Sequence, residues 1–410
     1  MIINTPVIQI KNHSVVISSE IKFNTSANTH PATAWFSYPE KYQSYISGRV
    51  DAFVTALLPL AMALGEDIQT HGALSPRLEY GLYEYQSAFH LWNPDVFHLV
   101  NINCDQITPL AEDQAGNETL AFFSGGVDSC YSLMSHLPEN QPLVDYQVRY
   151  ALFVHGFDIP LQDEKTFNLA VHTFQEELPA SVELIPCKTN LHYLMTGAVK
   201  WPFAHGGPLI ASGLILDGLV KNLIIPASYS LDELEPWGST PLVDYWLSTE
   251  TIESFHHGAD AERIEKIEAI AAWQPAHKML RVCINAKERK GVKNCSRCEK
   301  CTRTMGMLKM VGALSNFKTF NRSFSIWDFL NWVPDYTSIA VWAPYMMKYA
   351  LNHRQYQYVP FLFLSNLRGW MKFWMIKMLP RPIFLWLREK KFPLHKSPFH
   401  PLQIQDLDLP

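Results

Sequence analysis

Two groups of residues in this chain have types and spacing that do chemistry. The first lies in Leu120 to Leu133, LAFFSGGVDSCYSL, where an apolar run breaks at Ser124-Gly125-Gly126-Val127-Asp128-Ser129 and then resumes with helix-like spacing. If Leu120 to Phe123 is a buried strand and a helix starts near Asp128, the glycines permit positive φ and close ligand approach, and the helix amides aim at that point. Such a turn suits an anion. The hydroxyls of Ser124 and Ser129 add donors, and the helix N-terminus stabilises negative charge. Asp128 itself reads equally well as an N-terminal helix cap. The second group is Cys283, Cys295, Cys298 and Cys301, a C-x11-C-x2-C-x2-C pattern. Four thiolates so spaced are the usual ligands of a tetrahedral structural zinc ion, with an iron-sulfur cluster as the competing occupant. Residues i, i+3 and i+6 do not converge from one regular helix, so a turn must gather them.

The elements that position these groups alternate along the chain. After LAFF come a helix over Asp128 to His136, the strand YALFVHGFDI, a helix over Leu161 to Glu177, the strand SVELIPCKTN, the helical HGGPLIASGLILDGL and the strand LIIPASYS. This order predicts an α/β fold with a parallel sheet and helices on both faces. Ligands in such sheets sit beyond the strand C-termini, where SGGVDS, His155 to Asp158, Thr189 with Asn190, and Ser228 to Ser230 all fall. Upstream, VIQIKNHSVVISSEIKF predicts strands and Asp51 to Leu64 an apolar helix, so residues 1–117 read as a small α+β domain. A polar stretch, Ala111 to Thr119, links it to the core over 118–315, which includes the cysteine module at 283–301. Residues 316–410 form an aromatic, basic, helical extension.

The motif Ser124 to Ser129, after an apolar strand and before a helix, resembles the pyrophosphate loop of the N-type ATP pyrophosphatases, the PP-loop superfamily. The resemblance implies an adenine-nucleotide α-hydrolase-like core and cleavage of ATP between its α- and β-phosphates, giving an adenylate that a nucleophile displaces. It implies that Ser124, Asp128 and Ser129 are catalytic, that Gly125, Gly126 and Val127 complete the loop, and that Asp128 serves Mg²⁺. By position, His155, Gly156, Phe157 and Asp158 fall where adenine and ribose contacts are expected. Combined with the downstream cysteines, the loop resembles the 7-cyano-7-deazaguanine synthase branch, whose zinc is structural and which turns a carboxylate into an amide and then a nitrile with ammonia and ATP. The resemblance covers roughly 120–312. The eleven-residue first cysteine gap and the large flanking segments depart from that branch and point to a relative acting on another carboxylate, a deazapurine or a protein. Two other readings stand beside it: a nucleotide-binding subunit of a multi-protein assembly, by analogy with antiphage operons, and a tRNA thiolase.

Asn190, Trp201, His205, Ser228 and Trp237 are candidate substrate residues, because they lie in loops at the expected ligand edge. Arg281, Lys300 and Arg303 flank the cysteines and read as solvated charges able to clamp a leaving phosphate. Cys130 sits in the first turn of an apolar helix, where a small buried residue is the commoner case; Cys104 and Cys187 read the same way. The seven cysteines are odd in number and four are clustered, which argues for a metal site in a reducing compartment. The first residues, MIINTPVIQIKNH, lack a secretory signal pattern, and apolar runs such as Ala52 to Gly65 are too short to span a membrane, so a cytoplasmic protein is expected.

The net charge of -5 hides an asymmetry. Between Val341 and His400 there are ten Lys and Arg against the single acid Glu389, a net +9 that leaves the remainder at −14. The acidic body disfavours nucleic acid, while the basic segment suits an anionic surface. Six of the twelve tryptophans, Trp327, Trp332, Trp342, Trp370, Trp374 and Trp386, lie in the extension. It reads first as a helical cap on the core, then as a surface for a protein partner, with peripheral membrane contact the least favoured.

Overall fold

The computed structural model describes residues 1–24, 32–285, 290–332 and 341–378. Trp386 lies outside the described residues. Among the described residues, eleven strands form one sheet: β1 (Ile2–Ile3), β2 (Val7–Lys11), β3 (Ser14–Lys22), β4 (Ala32–Pro39), β5 (Ile68–Leu74), β6 (Ile102–Ile107), β7 (Glu118–Phe122), β8 (Val148–His155), β9 (Glu183–Thr189), β10 (Val220–Pro226) and β11 (Glu253–His257). The larger helices are α1 (Asp51–Leu64), α2 (Pro76–Trp92), α3 (Val127–Ser135) and α4 (Glu164–Glu177), with the short α5 (Leu191–Met195) and α6 (Trp201–Ala204) following. Next come α7 (Gly206–Leu214), α8 (Arg263–Ala271), α9 (Ala276–Met279), α10 (Glu299–Met310), α11 (Asp328–Asn331), α12 (Ala343–Asn352) and α13 (Val359–Met378).

The strand order is β11-β10-β7-β8-β9-β4-β3-β1-β5-β6, with β2 paired to β3. From β11 to β9 every pairing is parallel. The expected alternation of strand and helix is therefore present, with a fifth strand, β11, that sequence patterning does not mark. Beyond β9 the sheet continues through antiparallel β4 into the N-terminal strands, so the strands on either side of Asn117 belong to one sheet. The predicted helix at Asp51 to Leu64 is α1, whereas α3 starts one residue early, at Val127, and α4 starts at Glu164 rather than Leu161. Asp163 sets that later start by accepting a hydrogen bond from the Thr166 amide at 3.2 Å.

Alternation along β7 and β8 divides the core between the two faces of the sheet. Leu120, Phe122, Leu152 and Val154 pack with α1 and α7, while Ala121, Phe123, Ala151 and Phe153 pack with α3, α4 and α8. Helix α1 is buried nearly all round, which suits its composition DAFVTALLPLAMAL. Its closest neighbour is α7, where a Cβ on Gly207 would lie 2.6 Å from the Thr55 carbonyl oxygen. Only glycine allows that approach. Fully buried Leu57 and Leu58 each contribute about 1.5–3 kcal/mol to the same contact layer.

The junction between the two halves of the sheet rests on Asn190. Its side chain accepts from the Trp35 amide at 3.1 Å and donates to the Thr33 carbonyl at 2.7 Å, so it completes β4 where ladder pairing with β9 ends. Asn190 is thus a structural clamp, and its expected place beside a substrate is not what the fold gives it. Asn190→Ala leaves two main-chain groups of β4 unpaired and is expected to lower stability by about 2–4 kcal/mol in urea unfolding. An unchanged unfolding midpoint would show that the junction is held elsewhere.

Candidate functional site

Strand β7 lies between β8 and β10, and the chain moves outward in opposite directions on its two sides. That reversal opens a crevice at the strand C-termini between β7 and β10. A cavity of about 510 Å³ occupies it, lined by the ends of β7, β8 and β10, by the residues that follow them and by residues from the cysteine region. A volume in the hundreds of Å³ fits a small organic ligand.

The loop Ser124 to Ser129 forms one wall. Gly125 takes φ +73°, and a Cβ there would meet the Phe174 ring at 2.6 Å, so both conformation and space demand glycine. The Gly126 amide donates to Ser124 Oγ at 3.3 Å, and Ser129 Oγ accepts from the Ser124 amide at 3.2 Å while donating to the Gly126 carbonyl at 3.1 Å. The two serines thus shape the loop as well as facing the cavity. Gly126 is the N-cap of α3, and Asp128 sits in the first turn, so the cap role expected for Asp128 does not hold. Its carboxylate is instead ion-paired to Arg263 at 2.8 Å and Lys266 at 3.5 Å, both from α8.

Cations dominate the remaining wall. Arg263, Arg281, Lys300 and Arg303 line the cavity with the carboxylates of Asp128 and Asp158, and Glu299 pairs with Arg303 at 3.2 Å, which still leaves an excess of positive charge around the space. Arg281 and Arg303 are only 4% and 6% exposed, so they are not the solvated charges that their flanking positions suggest. Aromatic rings back them: Arg303 lies 4.7 Å and Arg263 5.2 Å from the Trp342 centroid, and Arg281 lies 5.8 Å from Phe153. Trp342 comes from the C-terminal extension, just before α12, and stacks on Tyr229 at 6.0 Å. Neither Arg263 nor Trp342 carries a local sequence signal, because only the fold brings them to the loop.

The other expected residues divide. Phe157 and Asp158 line the cavity, as do His205 and Ser228. His155 lies behind the wall, fully buried, stacked on Phe167 at 4.3 Å and donating from Nε2 to the Pro160 carbonyl at 2.8 Å. Gly156 forms the turn after it, at φ +105°. Trp201 packs against His192 and Phe157, and Trp237 stands edge-on to His205 and Tyr229, so both support the wall from behind. Ser239, absent from the sequence reading, lines the cavity and donates to buried Asp244 at 2.7 Å, which also holds His256 at 2.7 Å. Burial holds the His205 imidazole below the ordinary range, with Asp244 opposing.

The four cysteines converge, their sulfurs all within 4.8 Å of one another. Cys295 and Cys301 Sγ are 3.8 Å apart. Sulfurs on a tetrahedron with Zn–S near 2.3 Å are separated by about 3.8 Å, so the donor set fits zinc. A turn gathers them, as the spacing requires: Ser296 takes φ +59°, Cys298 caps α10, and Cys301 lies in its first turn. Amides of Asn285 and Cys298 donate to Cys283 and Cys295 Sγ, each at 3.3 Å, which favours thiolates. The buried Asn294 side chain spans the long first gap, accepting from the Val282 and Cys283 amides at 2.8 and 3.0 Å and donating to Leu280 O at 2.9 Å. With four thiolates the metal would be structural, since no position is left for a substrate.

The remaining cysteines lie apart. Cys130 and Cys187 are fully buried, and burial pushes the Cys187 thiol up to about 12. Cys104 is half-buried rather than buried, because β6 is the edge strand.

Arg281 ties the two centres together. Its amide donates to the Gly125 carbonyl at 2.7 Å, its guanidinium donates to Ser124 O at 3.2 Å and meets Asp158 at 2.7 Å, and Cys283 follows two residues later.

Metal analysis is expected to find about one zinc per chain, with Cys301→Ser losing most of it. A full complement in that variant would contradict four-thiolate binding. Burial also holds His155, His192 and His257 down to about 4, while it raises Asp217 to about 6. The histidines stay neutral in the folded chain, so their contribution is full above about pH 6.5 and falls as pH drops towards 4. Asp217 acts oppositely, taking up its proton in the folded state first. Between pH 6 and 4 the unfolded chain therefore binds about two more protons through these four groups, and stability should fall by roughly 3 kcal/mol per pH unit. Urea unfolding at pH 6 and 5 measures this, and a flat profile would contradict it.

No family model, curated protein or solved structure matches the chain, so the chemistry of the site has to be read from its own residues.

Proposed function

We propose that the cavity is the nucleotide site of a PP-loop ATP pyrophosphatase core, and that the chain is an ATP-dependent, adenylate-forming carbon-nitrogen ligase similar to the 7-cyano-7-deazaguanine synthases. One observation carries this reading: the Ser124 to Ser129 loop opens at the sheet's reversal point onto a cavity ringed by Arg263, Arg281, Lys300 and Arg303. A polyphosphate supplies the negative charge that this ring lacks.

In the proposed reaction a substrate carboxylate oxygen attacks the α-phosphorus of ATP, and the bond to the bridging oxygen breaks to release pyrophosphate. Ammonia or an amine then attacks the acyl carbon, and AMP departs with the electron pair of the C–O bond. The loop amides and serine hydroxyls would hold the leaving pyrophosphate, and the arginines would stabilise the charge it gains. Asp128 is the loop carboxylate that would hold magnesium, which neutralises phosphate charge when bound. Arg263 and Lys266 already engage that carboxylate, so the ion would share or displace their pairing.

The same pairing favours a second reading, a nucleotide-binding subunit that holds ATP without turnover, because its carboxylate is already neutralised. The tRNA thiolase reading is weaker, since Cys130 is enclosed and burial and Asp128 together push its thiol far up, away from the reactive thiolate. Pyrophosphate release from ATP in the presence of small deazapurine carboxylic acids and ammonium separates the readings. Release is expected, and Asp128→Ala should reduce it at least about a hundredfold. ATP binding without release would support the subunit, and a fully active Asp128→Ala would sink the ligase assignment.

A further inference from the structure

We propose that the outer face of α13 is a docking surface for an anionic lipid membrane. Among the described residues, the helix is anchored along one side. Leu362 and Ser365 are fully buried, Ser365 donates to the Trp332 carbonyl at 2.8 Å, and Gly369 is buried one turn later. Phe363, Leu364, Leu367, Met371, Trp374 and Met375 are 44% to 60% exposed. At about 100° per residue these six fall within an arc of about 120°, opposite the buried side. A solvated helix carries polar residues on that arc. An exposed patch of this kind on a packed protein marks an interaction surface.

Charge selects the occupant. Helix α13 contains no Asp or Glu, and exposed Arg368 and Lys372 border the apolar arc. Lys377 lies at the end of the helix, and the sequence that follows adds Arg381, Arg388, Lys390, Lys391 and Lys396 against one acid, Glu389. Covering the arc with that segment, or with α13 of a second copy, would bring like charges together. An anionic lipid surface instead pairs with the cations while its acyl boundary takes the aromatic and methionine side chains. The rest of the chain, at −14, is repelled by such a surface, which orients the protein with its extension towards the lipid. No helix among the described residues is long and apolar enough to cross a membrane, so the contact is peripheral. This inference does not depend on the ATP reading.

Flotation of the full chain with vesicles of equimolar phosphatidylglycerol and phosphatidylcholine tests it. Wild-type protein is expected to float with these vesicles and to partition at least about tenfold less into phosphatidylcholine alone. Leu367→Glu combined with Met371→Glu should weaken partitioning at least about tenfold, with zinc content and unfolding midpoint unchanged because both side chains are exposed. Arg368→Gln with Lys372→Gln should weaken it severalfold and reduce its salt dependence. Wild-type protein that stays out of the anionic vesicle fraction would overturn the proposal, as would a double-glutamate variant that floats equally well. A dimer that the glutamate pair dissociates, or binding to polyglutamate in place of vesicles, would assign the face to a second copy or to an acidic protein.

Discussion

The placement of Arg281 constrains the rest of the site. Its main chain fixes the left-handed turn of the loop through Gly125, and its guanidinium reaches Ser124 and Asp158, so one residue sets the geometry of two strand ends. Burying a guanidinium is costly unless it is paired. The pairing here is partial, and Nε has no hydrogen-bond partner among the described residues. An anion in the cavity would complete it. The cysteine cluster supplies the rigidity: Cys283 follows Arg281 two residues later, and α10, which begins at the cluster, carries Lys300 and Arg303. A metal held by the four cysteines would brace these cations and take no chemical part.

The C-terminal extension belongs to the same arrangement. Trp342 faces Arg263 and Arg303 with one ring system, and Arg263 in turn pairs with Asp128. A charge network therefore runs from the loop through α8 to α10, closed by an indole more than two hundred residues from the loop in sequence. Arginine tolerates this environment better than lysine because its planar, weakly hydrated head stacks on aromatic rings. Further along, α12 and the buried side of α13 pack into the core shared with α8 and α10. The extension thus has an inner role in the site, and a different surface of it remains available outward.

The parts of the site legible in the sequence were those where a local run carries the constraint. SGGVDS marks a turn because glycine and hydroxyl positions are fixed within six residues, and the cysteines mark a candidate metal site because thiolates at that spacing have few other uses. Strand β11 was missed because ESFHH has no β-branched run and follows a loop rich in turn residues. His155 and Asn190 stand at strand ends, where ligands bind, but the fold uses both to satisfy backbone groups, a distinction set by tertiary partners. Arg281 and Arg303 read as surface charges because burial of a charged residue depends on what packs over it. The N-terminal strands gave the correct element types but no sign that their sheet continues into the core, since a β4 to β9 pairing spans about 150 residues.

The most direct test of the brace is calorimetric titration of Mg-ATP into the protein with its metal in place and after chelation, with circular dichroism confirming that the sheet survives. Affinity should fall at least about tenfold on metal removal and return when zinc is restored, because Arg281, Lys300 and Arg303 lose their common support. Equal affinity with and without metal, in a folded chain, would contradict the claim that the cysteine cluster positions the cations of the site.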